Sequence, residues 1–195
     1  MQSNIHKFEK GTRIFDEIFA ESEKVAKYNE LSHRHALELR LLCEELVNML
    51  PSIVSDFSGE FWIENQNDYY ELCVKVFIEN MDFDTRERLI NVSKNNKNSA
   101  AVGISGKIRD AFEYMTIVGN DPMISPAGRF GFSSNIDFSQ IWSLKQYQEK
   151  VQENAEIETE AWDEIEKSII AKLADDVIVG IKGKTVNIII KKKFA

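Results

Sequence analysis

Two polar side chains, Glu44 and Asn48, stand one helical turn apart in a largely apolar stretch, residues 41–50. At 3.6 residues per turn they share one stripe of a helix with Leu37 and Leu41, and a second apolar stripe lies about half a turn away. A helix that is apolar on both sides is expected to be covered on both sides. A carboxylate and a carboxamide in that position are costly unless another group pairs with them.

Such a pair has two interpretations. In a nucleotide site, the Glu44 carboxylate would polarise the attacking water and the Asn48 carbonyl oxygen would hold a magnesium ion. In a purely structural helix, the same groups would bond to neighbouring backbone, or Glu44 would pair with Arg40 four residues before it. The spacing alone leaves both interpretations open.

The composition narrows the class of protein. The chain has 195 residues, of which 43% are hydrophobic and 29% are charged, which fits one domain with or without a large insertion. The net charge of -8 argues against sequence-independent binding to nucleic acid and against docking on anionic lipid. Cys43 and Cys73 have no metal-type spacing and indicate small buried side chains in a reducing compartment.

The chain also lacks targeting and membrane signals. It has no run of 18 apolar residues, so no transmembrane helix is predicted. The first residues, 1–7, do not contain the apolar core of a signal peptide. We therefore expect a cytoplasmic protein that does not bind a membrane or nucleic acid.

The elements that must position Glu44 and Asn48 follow from hydrophobic periodicity and turn residues. The first part of the chain predicts two helices, at 8–29 and at 33–50 with Ser32 as N-cap, and a β-hairpin with strands 60–64 and 69–78 around a turn at 65–68. The rest predicts helices at 85–94, 105–118, 139–153 and 156–174, an irregular segment at 119–135, and a second hairpin with strands 177–181 and 185–190. Helices in blocks and strands in antiparallel pairs indicate an α+β fold.

The pattern Glu44-Glu45-Leu46-Val47-Asn48, followed by a predicted hairpin, resembles the N-box of the GHKL ATPases. That family includes the histidine-kinase ATP-binding domain, the anti-sigma-factor serine kinases, Hsp90, gyrase B and MutL. The local pattern is most similar to the anti-sigma-factor kinases, whose N-box has a Glu four residues before its Asn. The order of elements is also similar: two helices, a hairpin, a variable lid, a helix and a closing hairpin.

This resemblance implies a Bergerat-like fold, a two-layer sandwich with helices on one face of a mostly antiparallel sheet. It implies a single domain over residues 1–195 with an enlarged lid at about 81–155. It also implies ATP and Mg²⁺ as cofactors, with Glu44 as the catalytic base and Asn48 as the metal ligand. A regulatory protein partner is the further expectation.

The family's other motifs have only partial counterparts. After the second strand the family usually has an Asp-x-Gly-x-Gly loop, whose Asp accepts a hydrogen bond from the adenine amino group. Glu79 or Asp82 offers that acid here, but residues 78–84 contain no glycine, so the backbone cannot adopt positive φ freely. For the phosphate loop, the segment 102–107, which contains Gly103 and Gly106, leads into the helix predicted at 105–118, and residues 127–132 are the alternative.

Three hypotheses remain open from the sequence. The chain is an ATP-binding regulatory domain that acts as a kinase or ATPase, with Glu44 and Asn48 in the roles given above. Alternatively, the same fold persists as a non-catalytic protein-interaction module, which the missing glycines after Ile78 favour. The third hypothesis is an unrelated α+β domain whose similarity to the N-box is accidental.

Overall fold

A computed structural model describes residues 1–9, 15–53, 58–77, 140–153, 168–182 and 184–194. Within these ranges six strands form one sheet: β1 His6–Glu9, β2 Ser58–Gln66, β3 Tyr69–Phe77, β4 Gln140–Ser143, β5 Asp176–Lys182 and β6 Thr185–Lys193. The described helices are α1 Phe15–Tyr28, α2 His33–Ile53, α3 Leu144–Glu153 and α4 Ile169–Leu173. The fold is therefore α+β, as the sequence predicts.

Local features of the sequence define where the helices of the α1–α2 hairpin begin and where the chain turns between them. Asp16 and Glu17 lie in the first turn of α1, where a helix favours negative charge. After α1 the chain turns through Glu30, whose φ is 52°. The Ser32 hydroxyl oxygen then accepts a hydrogen bond from the backbone N–H of His35 at 3.2 Å, which confirms Ser32 as the N-cap of α2.

Every pair of neighbouring strands is antiparallel, and the order across the sheet is β1-β2-β3-β6-β5-β4. Both predicted hairpins are confirmed. The first turns more tightly than expected, since only Asn67 and Asp68 separate β2 from β3, and Asn67 has a φ of 56°. In the middle of the sheet, β3 and β6 pair along nine residues, from Tyr69 opposite Lys193 to Phe77 opposite Thr185.

The main hydrophobic core lies between α1, α2 and α4 and one face of the sheet. Alternate residues of the strands point into it because successive side chains of a strand point to opposite faces. Its fully buried members include Leu39, Leu42 and Leu46 of α2 and Phe61, Ile63, Leu72, Val177 and Ile190 of the sheet. On the opposite face of the sheet, Cys73, Ile178 and Ile189 form a smaller buried cluster with Trp62 against it.

Two sequence predictions about element boundaries are wrong. Residues 8–29 do not form one helix, because His6–Glu9 pairs with β2 as an edge strand and the helix begins at Phe15. The segment 139–153 begins with a strand, β4, before it becomes helical at Leu144. In both places a four-residue edge strand is too short for its alternation to outweigh the helical spacing beside it.

Candidate functional site

The stripe of α2 that carries Glu44 and Asn48 faces outward. Asn48 is exposed, Glu44 is half-buried, and Leu37 on the same stripe is 51% exposed. The opposite side of α2 is buried against the sheet, as described above. The expectation that α2 is covered on both sides is therefore wrong, and the polar pair avoids the large cost of full burial.

The structural alternative, in which Arg40 pairs with Glu44, is also wrong. The Arg40 Nη1 donates instead to Glu23 Oε1 of α1 at 2.7 Å. The guanidinium also lies over the ring of Phe19, 5.6 Å from its centre. Arg40 therefore ties α2 to α1 and leaves the Glu44 carboxylate to other partners.

Neither Glu44 nor Asn48 has a side-chain hydrogen bond or ion pair with any residue in the ranges that the structure describes. A half-buried carboxylate and an exposed carboxamide, one turn apart, offer oxygen ligands of the kind that Mg²⁺ takes. The same carboxylate has free lone pairs with which to accept a proton from water. The donor chemistry of the pair thus fits a magnesium–nucleotide group.

The other predicted site residues lie outside the described part of the chain. Asp82, Glu79, Gly103 and Gly106 all fall within residues 78–139. Of the predicted lid at about 81–155, only residues 140–153 are described, and they form β4 and α3. The helices predicted at 85–94 and 105–118 also lie outside the described residues. Of the predicted site residues, the structure therefore describes only Glu44 and Asn48, one turn apart on α2.

Two cavities lie at opposite ends of the β2–β3 hairpin, and sequence analysis missed both. One of about 450 Å³ is at the end of β3, where the chain leaves Phe77 towards the segment that contains Asp82. Its lining is polar and aromatic: Lys7, Phe8, Glu9, Ser58, Gly59, Glu60 and Phe77. The other, of about 360 Å³, lies beside the hairpin turn and is lined in part by Glu64, Tyr69, Glu71 and Lys191.

At the second cavity, two carboxylates stand directly opposite each other in the sheet. Glu64 pairs in register with Glu71, an arrangement that destabilises a sheet unless other groups offset it. The Trp62 indole N–H donates to Glu64 Oε1 at 2.8 Å, and the Lys191 ammonium lies 3.3 Å from Glu71 Oε1. Glu71 Oε2 is buried and accepts no hydrogen bond from the residues that the structure describes.

Glu21 is a buried carboxylate that sequence analysis did not single out. Its oxygens accept hydrogen bonds from the Asn4 backbone N–H at 3.2 Å and from Lys24 Nζ at 3.3 Å, and its Oε2 lies 3.1 Å from Nε2 of His6. Burial raises the pKa of Glu21, but the hydrogen bonds from His6, Asn4 and Lys24 outweigh it, so the pKa lies below its usual value. No sequence signal links Glu21 to His6, because they belong to different elements.

Both thiols are buried, as predicted. Burial raises the pKa of Cys43 far above its usual value, although a hydrogen bond with Ser22 opposes this. Burial also raises the pKa of Cys73, and the nearby carboxylates Glu64 and Glu71 add to the effect. Neither thiol is suited to nucleophilic chemistry, which requires the thiolate.

Across the described ranges, no three His, Cys, Asp or Glu side chains are grouped as a metal site. No helix among the described residues is long and apolar enough to cross a membrane. Comparison with protein-family models, curated proteins and solved structures finds no match to this chain.

Proposed function

We propose that this chain is an ATP-binding regulatory domain of the GHKL type, with Glu44 as the catalytic base and Asn48 as a ligand of Mg²⁺. The single observation that carries the proposal is the outward stripe of α2. There a half-buried carboxylate without a described partner lies one turn from an exposed carboxamide. Bound MgATP supplies the phosphoryl group to be transferred, and Glu44 would accept a proton from the attacking hydroxyl group or water.

The order and pairing of the elements support the finer fold assignment, a Bergerat-like sandwich. Two helices precede a hairpin, a closing hairpin follows later in the chain, and all the described strands pair in antiparallel fashion. We further propose that Asp82 recognises the base and that Gly103 and Gly106 lie at the phosphates. The domain would act in the cytoplasm on a regulatory protein.

Nucleotide binding is tested by thermal unfolding of the full chain with and without MgATP. Ligand at 100 times its dissociation constant stabilises a protein by about 2.7 kcal/mol. For a chain of this size that corresponds to a rise in melting temperature of about 5–10 °C. An unchanged melting temperature in millimolar MgATP would contradict the proposal.

Two variants test the assigned roles. Glu44→Gln should keep the thermal shift and lower ATP turnover by about 10²–10⁴-fold, because it removes the base alone. Asn48→Ala should remove the magnesium dependence of the shift, whereas Asn48→Asp should keep it because it retains an oxygen ligand. Glu45→Gln is the matched control, since it removes the adjacent carboxylate, which lies off the stripe.

A non-catalytic interaction module on the same fold is the second candidate. The absence of glycine from residues 78–84 favours it, as does Leu37, an apolar side chain that is 51% exposed beside Glu44 and Asn48. This candidate predicts no response to MgATP and no effect of Glu44→Gln on stability. The thermal-shift experiment therefore separates the two functions.

A further inference from the structure

Arg40 lies within reach of two carboxylates on different helices. It precedes Glu44 by four residues on α2, a spacing at which helical side chains are neighbours. The structure nevertheless turns its guanidinium towards α1, where it bonds to Glu23 and covers the ring of Phe19. Glu23 and Phe19, both on α1, therefore determine which of the two carboxylates Arg40 pairs with.

The two contacts with α1 are individually weak. Arg40 and Glu23 are 46% and 62% exposed, so water and salt screen their ion pair. The contact with Phe19 adds an attraction between the cation and the ring face. The competing pair within α2 places the cation before the anion in the helix, which is the less favourable order. Because the competing pair is also weak, the contacts with Glu23 and Phe19 together suffice to hold Arg40 on α1. Loss of Glu23 would shift part of the Arg40 population towards Glu44.

We propose that Glu23 and Phe19 are positioning residues, which hold the Arg40 guanidinium off Glu44 and so keep that carboxylate unpaired for its role as base. A carboxylate beside a guanidinium is a weaker base, because the positive charge favours its ionised form. The catalytic meaning of this inference rests on the proposed function. The position of Arg40 itself is measurable without nucleotide.

The kinetic test compares Glu23→Gln with the double variant Glu23→Gln/Arg40→Gln in the full chain. Glu23→Gln should lower the kcat for MgATP about 2–5-fold with little change in KM, an effect of the size that an exposed ion pair produces. Removal of Arg40 in the same chain should restore kcat, and 0.5 M NaCl should restore it in part. Glu17→Gln, which removes a carboxylate of α1 that does not touch Arg40, should leave kcat unchanged.

The structural test uses the ¹⁵N–¹H signal of the Arg40 side chain in the nucleotide-free protein, assigned by its loss in Arg40→Gln. Glu23→Gln should move this signal, and addition of Glu44→Gln should move it again, towards the position of an unpaired arginine. If the Arg40 signal of Glu23→Gln is the same with and without Glu44→Gln, and kcat is unchanged, the inference is wrong. If the signal responds as expected but the wild-type chain hydrolyses no ATP, the positioning role falls with the proposed function and only the geometry of Arg40 stands.

Discussion

Gly59 shows how tightly individual residues are packed at the β1 edge of the sheet. A Cβ atom at this position would lie 2.5 Å from Cζ of Phe8 and 2.8 Å from the carbonyl oxygen of Lys75. The first neighbour belongs to a buried side chain of the core and the second to the backbone of β3. A side chain here would therefore push β1 away from β2 or force the backbone of β3 to move.

The substitution Gly59→Ala should accordingly destabilise the protein by about 1–3 kcal/mol, the usual cost of inserting atoms into a packed core. Urea unfolding measures this difference. Ser58→Ala, at the preceding residue of the same strand, is the control and should change the free energy of unfolding much less. A Gly59→Ala protein as stable as the wild type would show that β1 is not packed as described.

Among the elements, β1 is joined to α1 by the carboxylate of Glu21. This side chain is 5% exposed and accepts hydrogen bonds from Asn4 and Lys24, with His6 of β1 at its Oε2. The pKa of Glu21 is lower in the folded protein than in the unfolded chain. A carboxyl group with a depressed folded pKa contributes stability above its unfolded pKa and loses that contribution as pH falls through the folded value.

We therefore expect Glu21→Gln to lower stability at pH 7 and to have a progressively smaller effect as the pH falls below about 4.5, near the ordinary value for a glutamate. Urea unfolding between about pH 3 and pH 7 would measure the difference between the two proteins. Glu30→Gln, at an exposed position just after the same helix, is the control for a general charge effect. A difference that stays constant over this range would rule out the assigned linkage.

The long elements were predictable because each carries its own periodic pattern. Buried and less buried residues alternate along β2, and β3 carries the apolar row Leu72, Val74 and Val76 at every second position. Helix α2 has both an N-cap and an apolar face. The strands at His6–Glu9 and Gln140–Ser143 were missed because each is specified by its partner strand, which lies elsewhere in the sequence. Helical spacing placed Glu44 and Asn48 on one stripe. It did not reveal that α1 holds Arg40 away from Glu44, because that contact is made between two different helices.

At the scale of the whole molecule, Phe194, which follows β6, joins the helices to the sheet. Its ring is 4% exposed and stacks on His35 of α2, with centroids 5.1 Å apart, and meets the ring of Tyr70 of β3 edge-on at 5.1 Å. The backbone N–H of Phe194 also donates to the carbonyl oxygen of Asp68 in the hairpin turn. One side chain thus contacts the helical layer and the sheet together.

Phe194→Ala should cost about 3–5 kcal/mol in the free energy of unfolding, the range for removal of a buried phenylalanine ring. Phe194→Leu keeps much of the buried volume and should cost less than half as much. Chemical denaturation of the three proteins gives both values. Equal stability of Phe194→Ala and the wild type would mean that the ring does not contribute to closing the core.

The pairing of β3 with β6 has a consequence for synthesis of the protein. Residues 78–184, which number 107, separate the two central strands in the chain. At about 5–20 residues per second, the ribosome needs roughly 5–20 s to deliver β6 after it has delivered β3. During that interval β3, with its apolar row Leu72, Val74 and Val76, has β2 beside it but not yet β6. A nascent chain paused between β3 and β6 is therefore the species most in need of a chaperone.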